Sequence, residues 1–269
     1  MEGVAVREIL CKTILNRSRM GFAEYTVNAY QGCAFGCAYC YVPVLRARRG
    51  QADADRWGGW VEVKTNAADV LRRQMLRVEP EARISIGTAA DSWQPVERKY
   101  GIARAILHEL SYYPNPVQIV TRSPLLLRDI DLLRRIPNVW IGVSIPTFDD
   151  SVRRVFEPRA PTIAARRRLV RALVEADLRV RLFWCPLLPG VTDNAKAARE
   201  YLEEAAALGV RKVFCETMNY GEMLGSAVHE LRLRWQAETG REPEPSLSRY
   251  ALAREIARWS ARTGVACRL

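Results

Sequence analysis

Histidine and lysine are scarce in this chain of 269 residues, and long apolar runs are missing. The two histidines, His108 and His229, fall in a helical pattern and in the tail, so no His-based catalytic triad or zinc pair is apparent. No apolar run reaches the ~20 residues of a membrane span, and no glycine-rich phosphate loop occurs. These absences argue against a membrane partner, a triad hydrolase and a P-loop nucleotide enzyme.

A secretion signal is also missing from the first residues. The stretch 1–8 carries acidic residues and lacks an apolar segment, so it does not look like a signal peptide. The seven cysteines are odd in number and unevenly spread, which does not suit a disulfide framework. We therefore expect a cytoplasmic protein whose reduced thiols are available to a metal.

The basic charge supports two interpretations. A formal net charge of +11 is typical of proteins that bind nucleic acid. Five of the 41 basic residues are lysines and the other 36 are arginines, a bias that a GC-rich genome produces without any functional demand. Charge alone does not decide between a nucleic-acid partner and genome composition.

Three cysteines lie close together, and they carry most of the chemical information in the sequence. Cys33, Cys37 and Cys40 have the spacing C-x3-C-x2-C, with Tyr39 directly before the last thiol. Soft thiolate ligands select zinc or an iron–sulfur cluster. Three thiolates leave one metal position open, and an open iron is what chemistry at a [4Fe–4S] cluster requires.

The remaining chain alternates between strand and helix patterns. Strands are predicted at 24–30, 83–87, 117–121, 139–145, 179–184 and 211–215. Helices are predicted from Asn66, as the cap, through Leu76, and then at 96–110, 125–135, up to 176 and at 194–208. This alternation predicts parallel strands covered by helices, either as a flat doubly wound sheet or as a partial barrel.

The ends of the chain and one internal segment lack this alternation. We predict an irregular N-terminal extension over 1–23, the α/β domain over 24–216 and a C-terminal cover segment over 217–269, with a final helix at 247–261. The segment 46–60 combines arginines and glycines with tryptophans at 57 and 60. It is either a surface loop or a lid that grips phosphates and stacks on bases.

The cysteine motif and four further tracts, at 86–100, 120–133, 143–161 and 186–194, resemble the radical S-adenosylmethionine (SAM) superfamily. Within it they are similar to the branch related to spore photoproduct lyase, and the resemblance covers about 25–214. It implies a partial (β/α)6 TIM-type barrel, a [4Fe–4S] cluster and SAM as cofactors. It also implies an external electron donor of the flavodoxin or ferredoxin type.

The resemblance implies roles for individual residues. Cys33, Cys37 and Cys40 would ligate the cluster, and Tyr39 would lie against the adenine of SAM. Arg122 stands where the lyases have a lysine that binds the SAM carboxylate, and its guanidinium is suited to a bidentate contact.

Three more residues are expected at the same site. Ser144 matches a serine that contacts the same end of SAM, and Tyr41 completes the pair of tyrosines around the last cysteine, where we expect a catalytic role. Thr88 belongs to a group of small polar residues at strand ends, where a ligand is expected to face them. We therefore count Thr88 among the cofactor-binding residues.

Thr88 is also a departure from the lyases, which carry a hydrogen-donating cysteine at this place. A threonine O–H bond is too strong to quench a carbon radical, so repair of the spore photoproduct itself is not expected. Cys185 and Cys215 end the fifth and sixth strands; both suit core packing, and Cys185 is the candidate hydrogen donor.

Three functions follow as hypotheses. The first is a radical SAM enzyme that acts on nucleic acid. The second is radical modification of a peptide or small metabolite. The third is a non-catalytic zinc or iron–sulfur module that binds nucleic acid, and it would not need a cup of polar residues at the strand ends.

Overall fold

A computed structural model describes residues 3–51, 56–218 and 221–269. The strands are β1 (Ala5–Ile9), β2 (Leu15–Arg17), β3 (Tyr25–Val27), β4 (Tyr30–Gln31), β5 (Trp60–Lys64), β6 (Ile84–Ile86), β7 (Val117–Thr121), β8 (Val139–Ser144), β9 (Val180–Leu187), β10 (Lys212–Thr217) and β11 (Ala266–Arg268). The α-helices are α1 (Val42–Arg48), α2 (Ala67–Met75), α3 (Glu97–Tyr100), α4 (Ile102–Leu110), α5 (Ile130–Leu133), α6 (Asp150–Phe156), α7 (Ile163–Glu175), α8 (Ala195–Ala207), α9 (Gly221–Thr239) and α10 (Arg249–Thr263).

The main sheet has eight strands in the order β2-β3-β6-β7-β8-β9-β10-β11. Neighbouring strands are parallel except for the antiparallel pair β2 and β3. The six predicted strands, β3 and β6 to β10, follow one another in chain order, as successive β/α units require. This confirms the predicted α/β fold with a partial TIM-type barrel.

The two faces of this sheet differ in chemistry. One face carries buried apolar side chains, such as Ile119, Ile141 and Leu182, and these belong to the apolar core together with the buried faces of the helices. Because successive side chains of a strand point to opposite sides of the sheet, the intervening side chains lie on the other face, which we call the polar face. Its members include Gln118, Trp140, Ser144, Arg181, Phe183, Lys212 and Phe214.

Two of the predicted helices are built differently from the expectation. The helix predicted over 96–110 is divided into α3 and α4 at Gly101, whose φ of +66° ends the first helix in a left-handed turn. The helix predicted over 125–135 begins as a 3-10 helix, Pro124–Asp129, before α5. Asn66 does occupy the cap position of α2, but its side chain binds the backbone of Cys11 at 2.8 and 3.0 Å instead of capping the helix.

The N-terminal region is not irregular, contrary to the prediction. β2 extends the main sheet next to β3, and β1 pairs with β5 in a second sheet of order β1-β5-β4. These short strands depend on their partners in the sheets: β1 pairs with a strand far away in sequence, where Ala5 lies opposite Trp60, and β2 pairs with the following strand β3, where Leu15 lies opposite Val27. The second sheet matters for the site because β4 leads directly into the cysteine loop.

The C-terminal region does more than cover the domain. The predicted final helix is α10, but α9 was not predicted, and β11 adds a parallel strand to the edge of the main sheet. The division at 23 and 216 stays a prediction. No described helix is long and apolar enough to cross a membrane.

The segment 46–60 is only partly described, because residues 52–55 lie outside the described residues. In its described part, the Arg46 guanidinium lies 4.8 Å from the Trp60 ring, and Trp57 packs edge-on against Trp60 at 6.4 Å. The choice between a surface loop and a lid stays open as a prediction.

Candidate active site

The cysteine loop follows β4 and is held in a tight course. Gly32 has φ of +74°, and a Cβ there would lie 2.4 Å from the Trp60 carbonyl oxygen, so only glycine fits. Two turns follow, in which the amide of Gly36 donates to the Cys33 carbonyl at 3.2 Å and the amide of Cys40 donates to the Cys37 carbonyl at 3.1 Å. Cys33 and Cys37 are buried and Cys40 is half-buried.

The tract Asp91-x-x-Gln94-Pro-x-Glu97 anchors this loop. The buried Gln94 amide accepts from the Ala34 amide at 2.7 Å and donates to the Gly32 carbonyl at 3.2 Å. Glu97 is buried and accepts hydrogen bonds from the Tyr30 hydroxyl and from Arg128. The tract therefore fixes both the strand before the loop and the first loop residues.

The three thiols influence one another electrostatically. Burial raises the pKa of Cys37, and a negative charge on Cys33 or Cys40 raises it further. Burial likewise raises the pKa of Cys40 to about 12. Such thiols stay protonated until a metal displaces the proton.

The donor set of the cysteine loop fits an iron–sulfur cluster. Throughout 3–51, 56–218 and 221–269, no three His, Cys, Asp or Glu side chains converge in a way that could hold a single metal ion. A cubane cluster does not require such convergence, because each cysteine thiolate binds its own iron. The donor set of three cysteines in a glycine-containing loop thus fits a [4Fe–4S] cluster.

Arg122 connects this loop to the end of β8. One guanidinium nitrogen, Nη1, donates to Cys37 Sγ at 2.8 Å and to the Tyr39 hydroxyl at 3.1 Å, and the other, Nη2, donates to Ser144 Oγ at 3.2 Å. Its backbone amide donates to Asp91 Oδ2 at 2.9 Å. The structure therefore brings together Tyr39, Arg122 and Ser144, for which the resemblance implies contacts with SAM, beside a predicted cluster ligand.

Glu157 completes this group, although no pattern in the sequence predicted its role. Its carboxylate accepts from Arg122 and the Tyr39 hydroxyl on one oxygen and from the fully buried Arg166 on the other. Burial alone would raise the pKa of Glu157, but the charges of Arg166 and Arg122 outweigh it, so the pKa lies below its usual range. Arg166 also donates to the Ser144 carbonyl at 3.0 Å.

The signal for Glu157 was present but incomplete. Glu157 lies within the tract 143–161 that carried the resemblance, yet nothing in the sequence shows that two arginines 35 and 9 residues away converge on it. Only the fold supplies that information.

Tyr41 and Thr88 are also brought together. The Tyr41 hydroxyl donates to the Thr88 carbonyl oxygen at 2.6 Å, and Thr88 Oγ1 accepts from the Asn28 side chain at 3.4 Å. Asn28 also accepts from the Ala89 amide at 2.9 Å, so it orients the turn that follows β6. The roles of Tyr41 in catalysis and of Thr88 in cofactor binding stay predictions.

The structure separates the two cysteines at the ends of β9 and β10. Cys185 is half-buried, and alternation along β9 places it on the polar face, where its thiol donates to the Phe214 carbonyl at 3.6 Å. Cys215 is buried on the opposite face. Cys185 is therefore the better placed of the two, although its role as a hydrogen donor stays a prediction.

Comparison with known proteins identifies the superfamily. The family model described as the radical SAM superfamily matches residues 27–202, which includes the cysteine loop, Arg122, Ser144 and Glu157. The cofactors of this family are a [4Fe–4S] cluster and SAM, as the sequence predicted.

The curated relatives share part of this chain. An uncharacterized protein of Mycobacterium tuberculosis (strain ATCC 25618 / H37Rv) is 32% identical over 222 residues, which is 79% of this chain and 64% of the relative. The chain thus spans slightly less than two thirds of that relative. A radical SAM Nα-GlyT isomerase of Pseudomonas phage M6 is 23% identical over 218 residues, 80% of this chain and 44% of the isomerase.

Solved structures match the fold. A spore photoproduct lyase variant with a dinucleoside spore photoproduct has a TM-score of 0.73 at 14% identity, covering 97% of this chain and 81% of the lyase. A second variant of the same enzyme, with bound AdoMet and the dinucleoside, has a TM-score of 0.72. The family model matches well over half of the chain, and one conclusion follows: this chain belongs to the radical SAM superfamily.

Proposed function

We propose that this enzyme binds one [4Fe–4S] cluster through Cys33, Cys37 and Cys40, cleaves SAM reductively and acts on a nucleic acid. When bound, the cluster supplies the electron that cleaves SAM to methionine and a 5′-deoxyadenosyl radical. A flavodoxin or ferredoxin would deliver that electron from outside.

One observation carries the proposal. The guanidinium of Arg122 contacts both a cluster-loop thiol, Cys37, and the strand-end hydroxyl of Ser144. A carboxylate next to the cluster would therefore meet a cation and a hydroxyl donor at once, and charge-assisted hydrogen bonds of this kind are strong. Glu157 keeps Arg122 in place from the other side.

Each residue of the group has a physical task in this proposal. Arg122 and Ser144 bind and orient the carboxylate of SAM, whereas Glu157 and Arg166 fix Arg122 and the end of β8. Tyr39 is buried and its hydroxyl is held by Glu157, so its ring is fixed as a wall of the site.

A nucleic-acid substrate is supported by the basic charge and by the fold shared with a lyase that holds a dinucleoside. Thr88 replaces the hydrogen-donating cysteine of the lyases, so the reaction is not proposed to be photoproduct repair. Radical modification of a peptide or small metabolite is the alternative that the substrate test distinguishes.

Anaerobic reconstitution with iron and sulfide tests the cofactor assignment. We expect a brown protein that converts SAM and dithionite to 5′-deoxyadenosine, and a Cys33→Ala variant that does neither. Cys11→Ala is the matched control, because Cys11 lies beside the separate β1-β5-β4 sheet and should leave iron content and SAM cleavage unchanged. Colourless protein with tightly bound zinc would contradict the proposal and favour the non-catalytic module.

Substrate class requires a second experiment. Deuterated DNA, RNA and peptide are each incubated with the reconstituted enzyme, SAM and dithionite, and the deuterium content of 5′-deoxyadenosine is measured by mass spectrometry. Transfer from a nucleic acid supports the proposal, whereas transfer from peptide alone removes the nucleic-acid assignment.

A further inference from the structure

A row of side chains on the polar face leads away from the SAM-binding group. The strand register aligns Ser144 of β8 with Phe183 of β9, Phe214 of β10 and Arg268 of β11. Adjacent strands are about 4.8 Å apart, so the row extends sideways from Ser144 to the edge of the sheet. Whatever lies on this row is next to Arg122 at one end.

Two aromatic rings form the middle of the row. The rings of Phe183 and Phe214 lie 5.1 Å apart at 40°, and Phe214 is 39% exposed. Gly142 makes room for Phe183, because a Cβ on this glycine would lie 2.3 Å from Phe183 Cε2. A glycine within a strand often marks such a close approach, and here it allows the ring to lie over the sheet.

Three cations gather around Trp140 below this row, Arg181 and Lys212 one step down and Arg179 two steps down. The charged groups of Arg179, Arg181 and Lys212 lie 5.6, 4.5 and 4.8 Å from the ring centre of Trp140. Among the described residues, no carboxylate forms an ion pair with any of the three: Arg179 donates to the Asn138 side-chain oxygen at 2.8 Å, and Arg181 Nε is buried without a hydrogen-bond acceptor. Like charges held this close repel each other, so the group is suited to an anion that would neutralise it.

We propose that this aromatic–cationic face, formed by Trp140, Arg181, Phe183, Lys212 and Phe214, binds a single-stranded segment of the nucleic-acid substrate. Bases would stack on Phe183 and Phe214, and a phosphate would lie on Arg181 and Lys212. The inference rests on the proposed function, since it assigns the substrate surface of the same enzyme.

The chemistry favours a single strand over a duplex. A base can lie on a phenylalanine ring only after it leaves its stack, and exposed rings on a sheet with nearby cations are the usual platform for unpaired bases. Arg181 and Lys212 each precede one of the two phenylalanines by two residues on the same strand, a distance of about 6.7 Å. A nucleotide can therefore reach the rings with its base and the cations with its phosphate.

Binding of a fluorescein-labelled single-stranded DNA to the reconstituted enzyme, measured by anisotropy at several salt concentrations, tests this surface. An oligonucleotide of about 12 nucleotides suits the site sizes of such platforms. We expect Phe214→Ala to weaken binding about tenfold without changing its salt dependence. Lys212→Ala should lower the slope of log K against log salt by about 0.7, the value for one lost contact to a single strand.

Matched controls show whether a loss of binding is specific to this surface or follows from the loss of any cation or aromatic side chain. Tyr112→Ala removes another exposed aromatic side chain, and Lys196→Ala removes another exposed cation; neither should change affinity or slope. Phe214→Leu keeps apolar packing but removes the stacking ring, so it should lose affinity even if Phe214→Ala proves poorly folded in a thermal melt.

Failure of this surface assignment can be told apart from failure of the proposed function. Wild-type cleavage of SAM without nucleic acid tests the function, whereas the variants test the surface. If DNA binds and the Phe214 and Lys212 variants match their controls, the surface assignment is overturned while the function stands. Binding of an acidic peptide, but not DNA, through the same residues would also overturn it.

Discussion

Glu157 is the residue whose replacement tests the architecture of the site most directly. Its carboxylate is buried and contacts Arg122, the fully buried Arg166 and the Tyr39 hydroxyl. In a Glu157→Gln variant, one carboxylate oxygen is replaced by an amide that donates hydrogen bonds. This amide group would face a guanidinium, which offers no hydrogen-bond acceptor.

The expected loss of stability in Glu157→Gln follows from the burial of this carboxylate. Removing one partner of a buried ion pair costs about 3–5 kcal/mol, because the remaining charge is left without compensation. For a protein of this size, 1 kcal/mol corresponds to a change of about 2–4 °C in melting temperature. We therefore expect Glu157→Gln to melt about 6–20 °C lower than the wild type.

The assay compares thermal unfolding of the metal-free proteins by circular dichroism, so that no cluster contributes. Glu204→Gln is the matched control, because Glu204 pairs with Arg167 at 2.9 Å on the surface, with both side chains partly exposed. Surface pairs of this kind contribute about 0.2–1 kcal/mol, so its melting temperature should change little. Equal melting temperatures for the two variants would refute the conclusion that Glu157 neutralises two arginines.

The pH dependence of the stability difference between wild type and Glu157→Gln is an independent test of the same assignment. The folded-state pKa of Glu157 lies below its usual value of about 4.3. Its contribution to the free energy of unfolding is therefore fully present at pH values above the unfolded-state pKa. It is lost as the pH falls through the folded-state pKa. The stability difference between wild type and Glu157→Gln should therefore be constant near neutral pH and shrink in acid. A difference that grows in acid would contradict the assignment.

Three further predictions concern neighbouring positions. Arg122→Ala removes the cation that binds the SAM carboxylate, so the KM for SAM in dithionite-driven cleavage should rise about tenfold or more; an unchanged KM would remove Arg122 from the SAM site. Gln94→Leu leaves the Gly32 carbonyl and the Ala34 amide unpaired, which should cost about 1–3 kcal/mol in the free energy of unfolding and lower the iron bound after reconstitution. Gly142→Ala displaces the Phe183 ring and should cost about 1–3 kcal/mol in the free energy of unfolding, with weaker DNA binding; unchanged stability and binding would contradict the close approach of that ring.

Much of the fold was predictable because it depends on local patterns. The six core strands and most helices were predicted within a few residues, since alternation and amphipathic spacing are visible in short windows. The helix break at Gly101 was missed because a left-handed glycine inside an otherwise helical pattern gives a weak signal. β1, β2 and β11 were missed because short edge strands depend on their partners in the sheet.

The sequence by itself determined the kind of chemistry. The cysteine spacing and the linked tracts identified the superfamily and its cofactors, because each of these motifs is carried by residues close together in the chain. The resemblance also implied SAM-binding roles for Arg122 and Ser144. The tertiary structure decided which charges meet. Glu157 and Arg166 came to Arg122 only through the fold, since electrostatic pairing depends on distance in space and not on sequence separation. The strand register likewise decided which residues form the aromatic–cationic face, because a shift of one residue would turn every side chain to the other side of the sheet.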